Sequence, residues 1–196
     1  MASLKGDYAA FLAEVIRSSP PADKAAALEA GLRGGALPEE RRGELAEVAL
    51  SVGVSYQSPS SGDQGYILGM RTQAARELTA RSWQKASPLA IKHFYDFQVQ
   101  YNRGQVSKSN FLESIALLGA MGTAEAAQAL ALYLQLINTE TEQGKSFDEQ
   151  VTLAVVNNLG RLGDKAAFDY LLYIGYLQYP ETVKKAARDA LQKLRW

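Results

Sequence analysis

Hydrolytic chemistry asks for a serine, threonine or cysteine within reach of a base, and a metal site asks for several imidazoles, thiolates or clustered carboxylates. This chain holds one histidine, His93, and no cysteine in 196 residues. His93 stands in the run Lys92-His93-Phe94-Tyr95-Asp96-Phe97, where packing among aromatic rings accounts for an imidazole better than catalysis does. The adjacent acids Asp148 and Glu149 point apart on a helix, and Glu39 and Glu40 sit where a helix begins and acids complement its dipole. No glycine-rich phosphate loop follows a strand, because no strand pattern is evident, and Gly34-Gly35 reads as a helix end. These residues predict no catalytic set, no metal site and no cofactor, so the chain reads as a non-enzyme. The side chains do offer contact, since tyrosine carries a rigid apolar ring with a hydroxyl that can stay hydrated. Which of the tyrosines can reach a partner depends on the elements that carry them.

Those elements repeat. Leu118-Gly119-Ala120-Met121-Gly122 returns 41 residues later as Leu159-Gly160-Arg161-Leu162-Gly163, and the same shift lays Asn110, Ser114 and Leu117 on Val151, Val155 and Asn158. A third copy lies 32 residues further on, where Val183, Ala187, Ala190, Leu191 and Leu194 reproduce Val151, Val155, Asn158, Leu159 and Leu162. A fourth, weaker copy places Met70, Ala74, Glu77 and Leu78 40 residues upstream, with Arg81-Ser82-Trp83 where the glycine corner would be. Each copy is a helix with its stripe at i, i+4, i+8 and i+11.

Gly122 and Gly163 are expected to close these helices in the left-handed conformation, with Thr123 and Asp164 capping the next helix in each case. Ser146 with Glu149 has the capping-box pattern ahead of Val151, while Ser87-Pro88 and Pro180 are further start signals. Each stripe helix should then be followed by a second helix. The one after Pro88 bears Phe94, Tyr95, Phe97 and Tyr101, and the one from Asp164 to Tyr179 bears Phe168, Tyr170, Tyr173, Tyr176 and Tyr179. Residues 1–57 read as three more helices, divided by Pro20-Pro21 and by Gly34-Gly35 through Pro38. Residues 58–65, Ser-Pro-Ser-Ser-Gly-Asp-Gln-Gly, have the composition of a surface loop inside one stack, a hinge between two domains being the other option.

A small-residue helix, a Leu-Gly-x-x-Gly turn and a second helix rich in leucine and alanine resemble the HEAT repeat of the HEAT and armadillo class, over residues 66–196. The resemblance implies an all-α right-handed superhelix of stacked antiparallel helix pairs, with residues 1–57 beginning the stack; an irregular helical bundle is the alternative. It also implies that the second helices line the concave surface on which such proteins bind. In the repeat register the positions facing outward there are Gln128, Leu132 and Gln135, matched by Asp169, Tyr173 and Tyr176, with Tyr95 flanked by Lys92 and Asp96 in the earlier unit. The expected function is a scaffold or adaptor that docks a protein or peptide on this neutral, tyrosine- and glutamine-bearing face. The competing reading is that the same tyrosines simply pack with their rings half covered.

Lysine plus arginine equals aspartate plus glutamate, so no net field steers the chain towards nucleic acid or anionic lipid. The basic C-terminal end, Lys184, Lys185 and Arg188 with Lys193 and Arg195, reads as the polar cap of a stack; phosphate contact is its alternative, and salt dependence would discriminate the two. A third reading, an enzyme accessory similar to HEAT-like phycobilin lyases, would need an acidic or aromatic pocket for a linear tetrapyrrole, and the sequence identifies none. No apolar run reaches membrane-spanning length and the start does not read as a secretory peptide. The expectation is a soluble protein, either cytoplasmic or exported with a targeting segment removed, of undetermined oligomeric state.

Overall fold

The computed structural model describes residues 2–57 and 60–195, of which 2–7 are described by backbone alone. Among them all regular structure is helical: α1 (Ala2–Ser18), α2 (Pro21–Leu32), α3 (Glu39–Ser55), α4 (Ser61–Arg81), α5 (Ser87–Asn102), α6 (Lys108–Met121), α7 (Ala124–Glu142), α8 (Glu149–Leu162), α9 (Phe168–Tyr173) and α10 (Glu181–Leu191). Proline sets four of the starts. Pro20 and Pro21 open α2, Pro38 precedes α3, Pro88 lies in the first turn of α5 and Pro180 precedes α10, positions where a missing N–H costs nothing. Side-chain oxygens set others, with Ser60, Ser107, Thr123 and Asp148 accepting from free N–H groups of α4, α6, α7 and α8.

The packing order follows from which helices carry the repeated stripe. Each even-numbered helix packs on the next even one, from α2 to α10, each odd-numbered helix packs on the next odd one, from α1 to α9, and each even helix also packs on an odd neighbour. Between the two rows runs one connected cluster of buried apolar side chains, from Leu12 in α1 to Leu194 beyond α10. The first glycine of each Leu-Gly-x-x-Gly turn lets even helices approach closely. A Cβ on Gly119 would stand 1.9 Å from the Asn158 side chain of α8, and one on Gly160 would stand 3.0 Å from the Ala190 backbone of α10. The second glycine makes the corner, Gly122 and Gly163 both having φ of 66°.

Four expectations change. Helix α4 begins at Ser61, so Ser61–Gly65 are helical and only 56–60 separate α3 from α4; Ser58 and Pro59 fall outside the described residues. Ser60 initiates that helix early by accepting from the Asp63 N–H. The cap of α8 is Asp148 rather than Ser146, because its carboxylate accepts from both Gln150 and Val151 N–H groups. Residues 164–179 do not form one helix. The short α9 lies between 3-10 turns at Lys165–Ala167 and Ile174–Tyr176, and the Asn138 amide donates at 2.9 Å to the Tyr170 carbonyl, the acceptor that an α-helix would keep for Ile174. Finally, the fourth copy makes its corner without glycine: Ser82 occupies the left-handed region at φ 48° and ends α4 in the same way.

The α1–α2 corner depends on a buried charge. Lys24 is buried, and its Nζ donates to the carbonyls of Ile16 and Arg17 at 2.7 and 2.8 Å, so a cation serves the last free carbonyls of α1.

The corners yield opposite signs for two substitutions. Gly163→Ala adds a Cβ to a left-handed residue with the Lys193 carbonyl 3.0 Å away, and should lower the unfolding free energy by about 1–2 kcal/mol. Ser82→Gly relieves the same backbone cost and should raise it by about 0.5–1 kcal/mol. Urea denaturation of both variants checks the pair, and a loss of stability in Ser82→Gly contradicts the shared corner geometry.

Candidate functional site

The outward face of the odd row carries the residues expected to meet a partner. Tyr95, Gln128, Leu132, Gln135, Asp169, Tyr173 and Tyr176 are all solvent-exposed. Exposed Val99, Leu136 and Leu172 lie on the same helices, so the surface is more aliphatic than the tyrosine register alone implies. Tyr176 stands out at 77% exposed, on the 3-10 turn after α9 rather than on a helix. Tyr173, at 38%, is held in place: its hydroxyl donates to Glu142 Oε1 at 2.6 Å, bridging α9 to the end of α7, and its ring centre lies 6.5 Å from that of Tyr176. Tyr179 belongs to the interior instead, donating to Asn138 Oδ1 and packing its ring edge-on to Phe147.

At the basic end Arg188 pairs with Glu181 and Lys184 is half-buried, while Lys185, Lys193 and Arg195 are exposed. The backbone N–H of Arg195 donates to the Gly163 carbonyl at 2.8 Å.

A second constellation has no counterpart among the sequence expectations. Arg71 on α4 is buried, its side chain 7% exposed, in a helix face otherwise formed by Ile67, Met70, Ala74 and Leu78. Gly53 on α3 leaves the room for its stem, since a Cβ there would stand 2.4 Å from Arg71 Cγ. The guanidinium lies 4.5 Å above the centre of the Phe97 ring. Its Nε and Nη2 reach His93 Nδ1 at 3.3 and 3.0 Å, and Nη2 donates to Asp96 Oδ2 at 2.7 Å. Asp96 also accepts from Gln100. His93, Asp96 and Phe97 lie within four positions on α5, so a single turn supplies the acceptor, the counter-ion and the stacking ring. Residue order gives only Asp96 a surface role, as a neighbour of Tyr95. The one sequence signal for the constellation is an arginine set into the apolar face of α4.

His93 is 1% exposed, and burial holds it well below the usual imidazole range, with the Arg71 charge pushing the same way. It is therefore a neutral acceptor that orients the guanidinium, and His93–Phe97 ring centres 4.1 Å apart fix the imidazole in turn. Arg71 opens onto a cleft of about 700 Å³ between the C-terminal end of α3, the first half of α4 and the C-terminal end of α5. Among the described residues no three histidines or acids stand together as metal ligands, and no helix is long and apolar enough to cross a membrane.

Comparison of the chain with protein families, with characterised proteins and with solved structures finds no match.

The neutral imidazole has a pH signature. A histidine whose folded pKa lies below its unfolded value near 6.5 contributes stability that is full above that value and declines as pH falls towards the folded pKa. Below about pH 6.5 the slope should approach ~1.4 kcal/mol per pH unit. Guanidinium denaturation at pH 7 and pH 5 should show this loss in the wild type. His93→Asn, which keeps an acceptor for Arg71, should show a much flatter profile, and equal slopes in the two proteins would remove the assignment.

Proposed function

We propose that this chain is a non-catalytic scaffold or adaptor, a HEAT-like right-handed solenoid of helix pairs that docks a protein or peptide partner on the solvent face of its odd-numbered helices. The observation that carries this reading is the one-sided distribution of exposed large apolar side chains. Among the described residues, all of them except Tyr66 lie on the odd row: Tyr8 and Phe11 on α1, Tyr95 and Val99 on α5, Leu132 and Leu136 on α7, and Leu172, Tyr173 and Tyr176 at α9. A surface under no demand to bind scatters such residues singly, whereas a concentration on one face is the pattern of an interaction site. The row order of the helices and the paired glycine corners support the repeat architecture.

The partner that fits this face presents its own aliphatic or aromatic side chains within a polar rim, because the exposed set is apolar and flanked by Gln128, Gln135 and Asp169. Tyrosine anchors concentrate binding energy, and placing two carboxylates in the apolar centre of such a face commonly costs tenfold or more in affinity. Contact with phosphate backbones draws less support, since Arg188 is already paired and the chain has no net charge.

The test replaces Leu132 and Tyr176 with glutamate and measures retention of partner proteins on the immobilised chain, with Lys185→Glu as control. The double variant should lose at least tenfold in affinity for a partner recovered with the wild type, with its melting temperature changed by less than about 2 °C, because both positions are exposed. Undiminished binding by the double variant, or loss only in Lys185→Glu with steep salt dependence, rejects the proposed face.

A further inference from the structure

The Arg71 constellation is more elaborate than an ion pair between two helices requires. A guanidinium in a helix interface is normally met by carboxylates, yet here one side is given to a neutral imidazole, one plane to the Phe97 ring and one N–H to a carboxylate that is itself 39% exposed. The result is a guanidinium locked in orientation but only partly neutralised. The hydrogen bonds to His93 and Asp96 use Nε and Nη2; Nη1 takes no part in them. Arg71 itself lines an open cavity whose size suits a small ligand or the end of a chain.

The rest of the lining narrows the chemistry. Arg103 adds a second positive charge and Asp96 the one negative charge, so the cleft carries a net single positive charge. A monoanion matches it, whereas a dianion such as phosphate incurs a desolvation cost that grows with the square of its charge against a single net positive charge. Gln57, Gln100 and Gln105 offer amide donors and acceptors, which suit a ligand that itself carries an amide. Leu68, Val99 and Val106 offer an apolar wall for a short side chain.

We infer that this cleft binds a monocarboxylate of the acylated amino acid type, with the Arg71 guanidinium donating to the carboxylate, the glutamines meeting the amide, and the aliphatic wall taking the side chain. A free N-acyl amino acid and the C-terminal residue of a peptide present this same chemistry. The site adjoins the odd-row face, sharing Val99 and Asp96 with it, and does not depend on the adaptor reading.

The test uses the full chain, ¹⁵N-labelled, titrated with N-acetyl-leucine, with N-acetyl-leucinamide and with inorganic phosphate. The free acid should give saturable shifts of the Arg71 Nε–Hε signal and of the Gln100 and Gln105 side-chain amides at millimolar concentration or below, the amide should bind at least tenfold more weakly, and phosphate should bind more weakly than the acid. Asp96→Asn removes the competing carboxylate and should tighten acid binding at least threefold, an increase that a purely structural ion pair would not produce. Arg71→Met, which keeps a long stem beside Gly53 and Phe97, should abolish binding; if it fails to fold, the Asp96→Asn result decides. An acetylated tetrapeptide ending in leucine separates the sources. Binding at least tenfold tighter than N-acetyl-leucine, and lost on C-terminal amidation, identifies a chain end; affinity no better than N-acetyl-leucine identifies a free acyl amino acid. Equal shifts with acid and amide, no shift with either, phosphate binding tighter than the acid, or no tightening in Asp96→Asn overturns the inference.

Discussion

Close approach between alternate helices governs this structure. An isolated pair of these helices would leave a stripe of leucine, valine and alanine in water, and burial of that stripe is the main favourable term available to a chain that has no cysteine and whose described residues form helices and no strand. The stripe is covered only if α6 comes down on α8 and α8 on α10, and those approaches pass through Gly119 and Gly160, where a β-carbon would collide with Asn158 or Ala190. Small residues at the crossings and left-handed corners a few residues later form one device: the first sets how near two helices lie, the second turns the chain back to supply the next one.

Several polar groups drawn into the interior by this packing are met individually. Lys24 serves the last carbonyls of α1, Asn138 joins the Tyr170 carbonyl to the Tyr179 hydroxyl, and Arg71 is shared between an imidazole, a ring and a carboxylate. These are specific arrangements in a low-dielectric setting, where an unmet donor costs more than a met one contributes. They also explain local departures from regular geometry. The break around α9 falls where Asn138 draws on a helical carbonyl, and it carries Tyr176 outward on a tight turn, away from the core that holds Tyr179.

The two rows thereby acquire different surfaces. Even helices use their small residues to lie against one another. Odd helices carry rings inward, as where Phe94 packs against both Phe111 and Tyr133, and leave aliphatic and tyrosyl side chains outward. Docking on the odd face and carboxylate capture in the Arg71 cleft are distinct readings, because one rests on exposed apolar area and the other on a buried, oriented charge.

Helix content, most helix starts and the corners at Gly122 and Gly163 could be read from residue order, because proline, capping side chains and glycine act through the backbone within a few positions. The exposure of Tyr95, Leu132 and Tyr173 was legible too, since a period near 3.6 tells inside from outside once a few core positions are known, whereas Tyr176 is carried outward by the 3-10 turn after α9. The left-handed Ser82 was not, because a serine there is allowed rather than required, and neither was the break in 164–179, which answers to Asn138 some thirty residues away. The Arg71 site was the least accessible of all. It joins Gly53, Arg71 and the His93–Phe97 turn from three helices, and charge, room and orientation at that point exist only once those helices have packed. Local backbone preference is written along the chain, but the surroundings of a buried charge are a property of distant segments brought together.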